Sequence, residues 1–308
     1  MNINNWQRKG LIFKPKKNYS HAQLPVSINM GKKVRIFYSG RDKYGISHPY
    51  FFDLNSDNLN KIIYCHNKSI ISLGEPGCFD DSGIMPACII KIKHQYYLYY
   101  IGWSLRKNVP YSNAIGLAIS KDGKFFKKFS KSPIFSLTNL EPYFTGTISV
   151  IKCGKLYYAY YLSCIGWKKV NKKMEPLYDI KIANSKNGIS WNREGKVAIK
   201  LKKNEGGLAS AAIAKIKQTY HMWFSYRGIK DYRDNKRFSY KIGYAFSKNL
   251  HKWHRDDKKF NVHFSKNAWD SEMMAYPNVI KVKNNLILFY NGNGFGQTGI
   301  GYLSNTLL

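Results

Sequence analysis

One short pattern recurs along this chain at a nearly fixed spacing. Each copy is an aromatic-rich run that ends near a glycine, and the copies lie at 34–41, 97–103, 156–162, 221–228 and 286–292. Each run contains two adjacent aromatic residues, and the second residue of the last such pair is Tyr38, Tyr100, Tyr161, Phe224 or Tyr290, with steps of 62, 61, 63 and 66 residues. A fixed period of this length means that each unit is one supersecondary element that buries its faces against its neighbours.

A second repeat follows most of these runs and predicts a hairpin within each unit. It occurs at 115–126, 180–191 and 242–253, and its serines are Ser120, Ser185 and Ser247. An Asp-Gly or Asn-Gly step favours the left-handed backbone of a tight turn, and the aromatic residue that follows begins the returning strand. A partial copy at 300–304 stops at the C-terminus, so residues 6–13 are expected to supply its missing strand.

Strands that repeat in this way predict an all-β fold, a five-bladed β-propeller of four-stranded antiparallel blades closed by the N-terminal strand. The innermost strands are expected at 21–26, 81–87, 145–150, 208–213 and 272–279. A single domain over 1–308 is expected, with blades at 20–75, 80–140, 143–203, 205–265, and 270–308 plus 5–14. Three longer inserts, 105–113, 168–177 and 228–238, follow the aromatic strand and are expected on one face.

The chain is strongly basic, with 50 Lys and Arg against 18 Asp and Glu and a net charge of +32. One interpretation is compositional, because the chain is also rich in Asn, Ile and Tyr, and the lysines are then solvated surface. The other is functional, because a positive field attracts phosphates, nucleotide sugars, lipid pyrophosphates or an anionic membrane face. Nucleic acid is not an expected partner, since the lysines are dispersed and no nucleic-acid-binding module is recognisable.

The N-terminus, the apolar runs and the cysteines together predict a cytoplasmic protein. Peripheral attachment to the inner face of the membrane is a further option. The N-terminus has no apolar core of signal-peptide length, and no apolar run of membrane-spanning length occurs. The five cysteines are odd in number and lack Cys-x-x-Cys spacing, which suits a reducing compartment and gives no zinc site. No metal or cofactor is expected, and the glycine-rich stretch 291–299 lacks the helix that a dinucleotide loop requires.

Carboxylates at the entrances of the expected innermost strands are the candidate catalytic groups. Glycosidic chemistry uses paired carboxylates, one to protonate the leaving oxygen and one to attack the anomeric carbon or activate water. Asp81 and Glu272 come first, because both open an innermost strand and precede a Met and a Pro, and Asp80 and Asp270 come next. The alternative is that these acids cap backbone amides or pair with lysines.

Other polar and aromatic residues near the same entrances are candidates for substrate binding. Aromatic faces suit the apolar faces of sugar rings, and amides suit sugar hydroxyls. The candidates are His21, Gln23, Trp103, Thr145, Glu205, Trp269, Tyr276, Asn291 and Asn293.

Three basic residues just past aromatic strands are candidates for anion binding: Arg41, His48 and Arg227. An arginine in such a place binds phosphate or carboxylate through a two-pronged contact. The alternative is that the arginines pair with Asp42 or Asp231 nearby.

The aromatic runs and the interleaved Ala-x-Ser-Lys-Asp/Asn phrases resemble the five-bladed propeller glycoside hydrolases, a superfamily that includes invertases, arabinanases, β-xylosidases and mannoside phosphorylases. The resemblance covers residues 20–308. The phrases at 79–86, 226–228, 269–277 and 290–296 look like a bacterial branch that often accompanies surface-polysaccharide genes. The catalytic pattern of the superfamily is incomplete here, because only Asp80 or Asp81 matches an expected acid by position.

This resemblance implies a carbohydrate-active enzyme acting on a glycosidic bond by hydrolysis, phosphorolysis or glycosyl transfer, in assembly or remodelling of a bacterial cell-surface glycan. The expected partner is a carbohydrate or a phosphorylated or nucleotide-linked sugar, with an anionic membrane surface as a second. The alternative is a non-catalytic glycan-binding propeller. Carboxyl groups of Asp81 and Glu272 about 5–10 Å apart across an open pocket would favour the enzyme.

Overall fold

The computed structural model describes residues 5–15 and 19–307, so the ends of the single domain expected over 1–308 lie outside the described residues. Helix is limited here to a 3-10 turn at Asp257–Lys259 and a four-residue turn, α1, at Asn293–Gly296. No helix in these two ranges is long and apolar enough to cross a bilayer. The all-β prediction is therefore confirmed.

Hydrogen bonding joins the strands into three sheets, one of four strands and two of eight. Each eight-stranded sheet is two antiparallel runs of four strands linked by a single parallel bridge, Ser47 with Gly83 or Tyr178 with Gly207, so we describe the strands as five antiparallel groups of four. The N-terminal strand is β1 (Gln7–Phe13). Group one contains β2 (Gln23–Asn29), β3 (Lys33–Arg41), β4 (Ser47–Asn55) and β5 (Ile62–Cys65). Group two contains β6 (Gly83–Ile92), β7 (Gln95–Leu105), β8 (Tyr111–Ser120) and β9 (Lys127–Lys128). Group three contains β10 (Thr145–Cys153), β11 (Leu156–Val170), β12 (Lys173–Ser185) and β13 (Val197–Ile199).

Group four contains β14 (Glu205–Ile216), β15 (Thr219–Gly228), β16 (Lys241–Ser247) and β17 (His254–Arg255). Group five contains β18 (Ala275–Val282), β19 (Asn285–Asn291) and β20 (Ile300–Thr306), and β1 is its fourth strand. In that pairing Leu11 lies opposite Gly301 and Phe13 opposite Ile300. The predicted pairing of the two ends of the chain is present.

The second repeat forms the turn that its sequence predicted. The hydroxyls of Ser120, Ser185 and Ser247 each accept a hydrogen bond from the backbone N–H three residues later, at 2.9, 2.9 and 3.1 Å. The donors Gly123 and Gly188 have φ of 70° and 75°, in the region that favours glycine. The return strand begins directly after the aromatic residue in groups two and four, at Lys127 and His254, whereas in group three it begins at Val197, six residues after Trp191.

The apolar core lies between the groups rather than at one centre. One cluster joins group five to group one, where the rings of Phe13 and Phe52 stack with centroids 4.4 Å apart. Another joins groups four and five through the buried side chains of Trp223 and Leu288. Two-sided burial of aromatic residues in every group removes large apolar areas from water, at about 25 cal/mol per Å².

A bulge interrupts each of the five innermost strands, and in three of them the bulge contains a residue with left-handed backbone. These residues are Leu24, Ser210 and Tyr276, whose φ values are 55°, 51° and 57°. The Leu24 N–H donates to Asn291 Oδ1 at 3.1 Å, and the Tyr276 N–H donates to Ser225 Oγ at 2.7 Å. Left-handed backbone is costly for such residues, and bulges of this kind are common beside functional sites.

Candidate functional site

A cavity of about 670 Å³ lies where the five innermost strands converge, and we call it the central cavity. Each innermost strand contributes a lining residue: Gln23, Met85, Thr147, Ala209 and Tyr276. Of the three inserts expected on one face, 105–113 and 228–238 reach the central cavity, whereas 168–177 contributes no lining residue. The volume is in the range of small-molecule sites.

Arg41 and His21 form one side of the central cavity. The Arg41 guanidinium donates to Gln23 Oε1 at 3.2 Å, and its burial lowers the pKa of Arg41. Burial, assisted by Arg41, lowers the pKa of His21 to about 4. His21 is therefore neutral at pH 7, and Arg41 is the fixed cation on this side.

A second arginine, Arg233, lies on the loop between β15 and β16 and also lines the central cavity. Glu175 of β12 accepts hydrogen bonds from Arg233 and, at 2.8 Å, from the Tyr232 hydroxyl. The Arg233 guanidinium lies 4.3 Å from the centroid of the Tyr232 ring. Glu175 therefore orients an arginine and a tyrosine at the cavity rather than facing a substrate.

Aromatic side chains make most of the remaining wall. They are Trp103, Tyr111, Phe144, Tyr178, Tyr232, Tyr240, Tyr276 and Phe295. Trp103 is seated against Gly83, where an added Cβ would lie 1.9 Å from the indole Nε1. Rings of this kind offer flat apolar surface with a polar edge, which suits the two-faced character of a sugar ring.

Three residues that line the central cavity carry a buried polar atom without a hydrogen-bond partner in the described part of the chain. The atoms are Arg41 Nε, Trp103 Nε1 and Asn113 Oδ1. A buried polar atom left unpaired costs about 1–3 kcal/mol, so most such atoms are satisfied by protein, water or ligand. They are three of the twelve such atoms in the described residues, and together with the convergence of the five innermost strands they mark this cavity as the candidate site.

The predicted catalytic pair, Asp81 and Glu272, is not formed in the central cavity. Asp81 accepts hydrogen bonds from the Gly77 N–H at 3.0 Å and the Ser82 hydroxyl at 2.8 Å, and so caps a turn. Glu272 is exposed and lines a different cavity. The pairing is wrong because β6 and β18 begin at Gly83 and Ala275, which leaves both acids in the preceding turns.

The other predicted acids are held in ion pairs. Asp80 is 1% exposed and lies 2.5 Å from Lys128 Nζ, and Asp270 is fully buried and lies 3.1 Å from Arg8 Nε. Glu205 pairs with Arg255 at 2.6 Å. The predicted catalytic roles of Asp80 and Asp270 and the predicted substrate contact of Glu205 are thus corrected. Their cations come from the outermost strand of the same group.

Apart from Glu205, the predicted substrate-binding residues divide into two sets. His21, Gln23, Trp103 and Tyr276 line the central cavity. Four others do not line it and have structural contacts: Thr145 donates to the Phe135 carbonyl, Trp269 stacks on Tyr290, Asn291 accepts from Leu24, and Asn293 accepts from the Glu272 and Met273 N–H groups. The two asparagines were misassigned because the sequence does not distinguish an amide that bonds to backbone N–H groups from one that bonds to sugar hydroxyls.

Of the predicted anion-binding residues, Arg41 alone lines the central cavity. His48 does not line the central cavity, and its Nε2 lies 3.2 Å from Asp42 Oδ2. Arg227 is 1% exposed and donates to the Tyr178 hydroxyl at 2.9 Å and the Pro176 carbonyl at 2.7 Å. Arg227 therefore supports the wall from behind, and its predicted contact with an anion is wrong.

Sequence reasoning missed several residues of the central cavity, above all Arg233, Asp234, Tyr240, Tyr178 and Asn113. A signal for Arg233 and Asp234 was present in the insert 228–238, where tyrosine, arginine and aspartate lie together. Asp234 is the one carboxylate among the residues that line the cavity. Across the two described ranges, no group of three or more His, Cys, Asp or Glu side chains could hold a metal ion.

No protein-family model matches this sequence. The chain is 31% identical over 302 residues to uncharacterized protein Rv1502 of Mycobacterium tuberculosis strain H37Rv, covering 96% of this chain and 97% of that protein. Uncharacterized protein MT1551 of strain CDC 1551 matches with the same identity and coverage. The chain belongs to the Rv1502 family.

Solved structures show which fold the Rv1502 family adopts. A putative glycosidase from Bacteroides thetaiotaomicron has a TM-score of 0.72 at 15% identity, with 98% of this chain and 97% of that chain covered. The β-1,2-mannobiose phosphorylase from Listeria innocua, in complex with β-1,2-mannobiose, has a TM-score of 0.71 at 13% identity, with 98% and 97% covered. A putative glycoside hydrolase from Parabacteroides distasonis has a TM-score of 0.69 at 16% identity, with 98% and 96% covered. The resemblance to the propeller glycoside hydrolases is confirmed for the fold.

Proposed function

We propose that this protein acts, within the central cavity, on the glycosidic bond of a carbohydrate. Phosphate is either part of that carbohydrate or a second substrate. The observation that carries the proposal is the presence of Arg41 and Arg233 on a cavity with an aromatic wall. The five strand groups serve as the blades of a five-bladed propeller, with β1 closing the ring. In that arrangement the central cavity lies on the propeller axis, where each blade contributes to one site.

The sugar is held by the aromatic wall and the unpaired polar atoms. Trp103 Nε1 is a donor and Asn113 Oδ1 an acceptor, so the pair can bind two hydroxyls of one ring. Gln23, 4% exposed, offers a further amide beside Arg41. Hydroxyls that satisfy these atoms would recover the free energy that their burial costs.

The phosphate is held by the arginines. Arg41 has a buried Nε without a partner among the described residues, and a guanidinium binds phosphate through two parallel hydrogen bonds. Arg233 is pre-oriented by Glu175. His21 is neutral at pH 7, and a phosphate dianion beside it would favour the protonated ring and gain a third charge-assisted contact.

Phosphorolysis is the reaction that this set of groups supports. A phosphate oxygen attacks the anomeric carbon as the glycosidic C–O bond breaks, and one acid gives its proton to the leaving oxygen. Because phosphate is itself the nucleophile, a second enzyme carboxylate is not needed, which suits a cavity lined by Asp234 alone among acids. Asp234 is the proposed proton donor.

The second candidate is a non-catalytic glycan-binding propeller. It is favoured by the ion pairs of Asp80, Glu141, Glu205 and Asp270. Because these four acids, one near the start of each of four groups, are bound to cations of the protein, they are not available for proton transfer or nucleophilic attack. In either case we propose a cytoplasmic role in assembly or remodelling of a cell-surface glycan. The net charge of +32 supports this, since such a protein attracts phosphorylated sugars and anionic membrane faces.

The test is the reverse reaction, with a panel of sugar 1-phosphates and sugar acceptors and with phosphate release as the readout. Asp234→Asn should lower turnover about 10²–10⁴-fold and leave phosphate binding, measured by calorimetry, unchanged. Arg41→Met and Arg233→Met should weaken that binding, while Arg106→Met, which changes an exposed arginine outside the cavity, should not.

Saturable sugar binding without turnover on any donor would select the glycan-binding alternative. Absence of both turnover and binding, or wild-type binding by both Arg41→Met and Arg233→Met, would overturn the site.

A further inference from the structure

A second cavity, of about 830 Å³, lies between groups four and five, and we call it the lateral cavity. It shares no lining residue with the central cavity. The loop 229–240 separates the two, with Arg233 and Asp234 lining the central cavity and Lys236 and Arg237 lining the lateral one. The proposed function uses no residue of the lateral cavity.

Four cationic side chains line the lateral cavity: Lys236, Arg237, Lys241 and Lys266. Within the described residues none of them forms an ion pair with a carboxylate. The Lys241 ammonium instead donates to the Arg237 carbonyl at 3.1 Å. Burial, followed by repulsion from Arg237, lowers the pKa of Lys241. The four positive charges therefore repel one another, and a bound anion would reduce that repulsion.

The two acids in the lateral cavity do not neutralise this cluster. Asp257 is already bound by Arg255 at 2.9 Å and by Lys202 at 2.7 Å. Glu272 is exposed and is the one acid left against four cations. A ligand that balances the cavity must carry more than one negative charge.

The rest of the lateral cavity is apolar. Phe260 and Ile242 are buried there, and Val262, Phe264 and Met274 are partly buried or buried beside them. The Lys241 ammonium lies 5.9 Å from the centroid of the Phe264 ring, so the cationic and aromatic parts adjoin. A ligand that fits both parts has an anionic end and an apolar or aromatic end.

We propose that the lateral cavity binds an organic pyrophosphate, a molecule in which two linked phosphates are joined to an apolar or aromatic group. The two phosphates match the charge of the four cations, and Arg237 supplies a planar, two-pronged donor. The organic group packs on Phe260 and Phe264. The volume of about 830 Å³ admits the whole of a nucleotide-sized ligand.

Nucleoside diphosphates and isoprenoid diphosphates share this chemistry, and the experiment separates them. Calorimetric titrations at physiological salt would use inorganic pyrophosphate, a nucleoside diphosphate and geranyl diphosphate. One of the two organic ligands should bind saturably and about tenfold more tightly than inorganic pyrophosphate, which is ~1.4 kcal/mol. Tighter binding of geranyl diphosphate identifies a lipid-linked source, and tighter binding of the nucleoside diphosphate a soluble one.

The variant K236Q/R237Q/K266Q removes three exposed cations and should weaken the preferred ligand about tenfold or more. A second variant, Phe264→Ser, should weaken the organic ligand and leave inorganic pyrophosphate unchanged. The matched control K155Q/K173Q/K186Q removes three exposed lysines outside both cavities. Equal losses in the triple variant and the control would mean diffuse attraction to surface lysine and would overturn the proposal, as would loss through Arg41→Met or the absence of saturable binding by all three ligands.

Discussion

The Tyr290 hydroxyl donates a hydrogen bond of 2.7 Å to the buried Asp270 carboxylate. The same arrangement, with the tyrosine twenty residues after the acid, joins Tyr100 to Asp80 and Tyr161 to Glu141, each at 3.0 Å. Each acid also meets a cation that lies on the outermost strand of its group or shortly before it. We call the acid, the tyrosine and the cation a triad. Its side chains connect the start of a group to the group's second strand and to its outer edge.

The triad of group five predicts that Arg8 stabilises the junction of the two chain ends. Arg8→Ala leaves the fully buried Asp270 without its cation and should lower the free energy of unfolding by about 2–3 kcal/mol. Urea denaturation followed by tryptophan fluorescence measures the change. Lys9→Ala, at an exposed neighbour, should change stability by less than about 0.5 kcal/mol. Equal stability of the two variants would show that the Arg8 contact is dispensable.

Asp179 predicts an unusual dependence of stability on pH. Burial, opposed in part by Lys181, raises the pKa of Asp179 to about 6. In the unfolded chain the pKa is lower, so the folded state binds more protons between about pH 4 and pH 6. The contribution of Asp179 to stability therefore falls as pH rises through this window.

Asp179→Asn removes that penalty. The variant should gain stability relative to the wild type on going from pH 4 to pH 7, by up to about 2–3 kcal/mol. Chemical denaturation at several pH values measures the difference, and Asp231→Asn, at an exposed position, serves as the control. A difference between Asp179→Asn and the wild type that is constant with pH would rule out the titration of this group.

Arg227 is predicted to affect stability and not anion binding directly. Arg227→Ala leaves the Pro176 carbonyl and the Tyr178 hydroxyl without this donor and removes a guanidinium that lies 3.8 Å from the centroid of the Tyr232 ring. Unfolding free energy should fall by about 3 kcal/mol. Any rise in melting temperature caused by phosphate should persist in Arg227→Ala and be lost in Arg41→Met; the opposite result would restore Arg227 as the anion ligand.

Asp81 and Glu272 are predicted to be dispensable for the chemistry of the central cavity. Asp81 caps a turn and Glu272 is exposed elsewhere, so Asp81→Asn and Glu272→Gln should keep turnover on an identified substrate within about threefold of the wild type. Steady-state kinetics measures this, with Asp234→Asn assayed in parallel. A loss of about a hundredfold in either variant would move the proton-transfer site away from Asp234.

Much of the fold could be predicted because its signal is local. The period of the aromatic runs set the number of strand groups, and the Ser120, Ser185 and Ser247 turns follow from contacts within three residues. Strand β10 begins at Thr145, as expected. Strands β6 and β18 begin later than expected, and that small shift moved Asp81 and Glu272 from the strands into the turns before them.

The central cavity was predictable only in part. Gln23 and Tyr276 were found because the innermost strands are periodic, whereas Arg233 and Asp234 lie on an insert without a repeat to align. The roles of the triad acids could not be assigned from spacing. A carboxylate just before a strand has the same position in the sequence whether it contacts a ligand or an arginine or lysine of the protein. Asp270 finds its cation at Arg8, at the other end of the chain.

The sequence by itself determined the all-β class, the five repeated groups and the pairing of the chain ends, because hydrophobic periodicity and turn chemistry act over short stretches of chain. The tertiary structure alone decided which charges are available for function. Arg41 and Arg227 lie at the ends of the equivalent strands β3 and β15, yet Arg41 lines the central cavity and Arg227 is buried outside it. That difference depends on which side chains from distant segments fill the space around each guanidinium, and such contacts form only when the groups pack together.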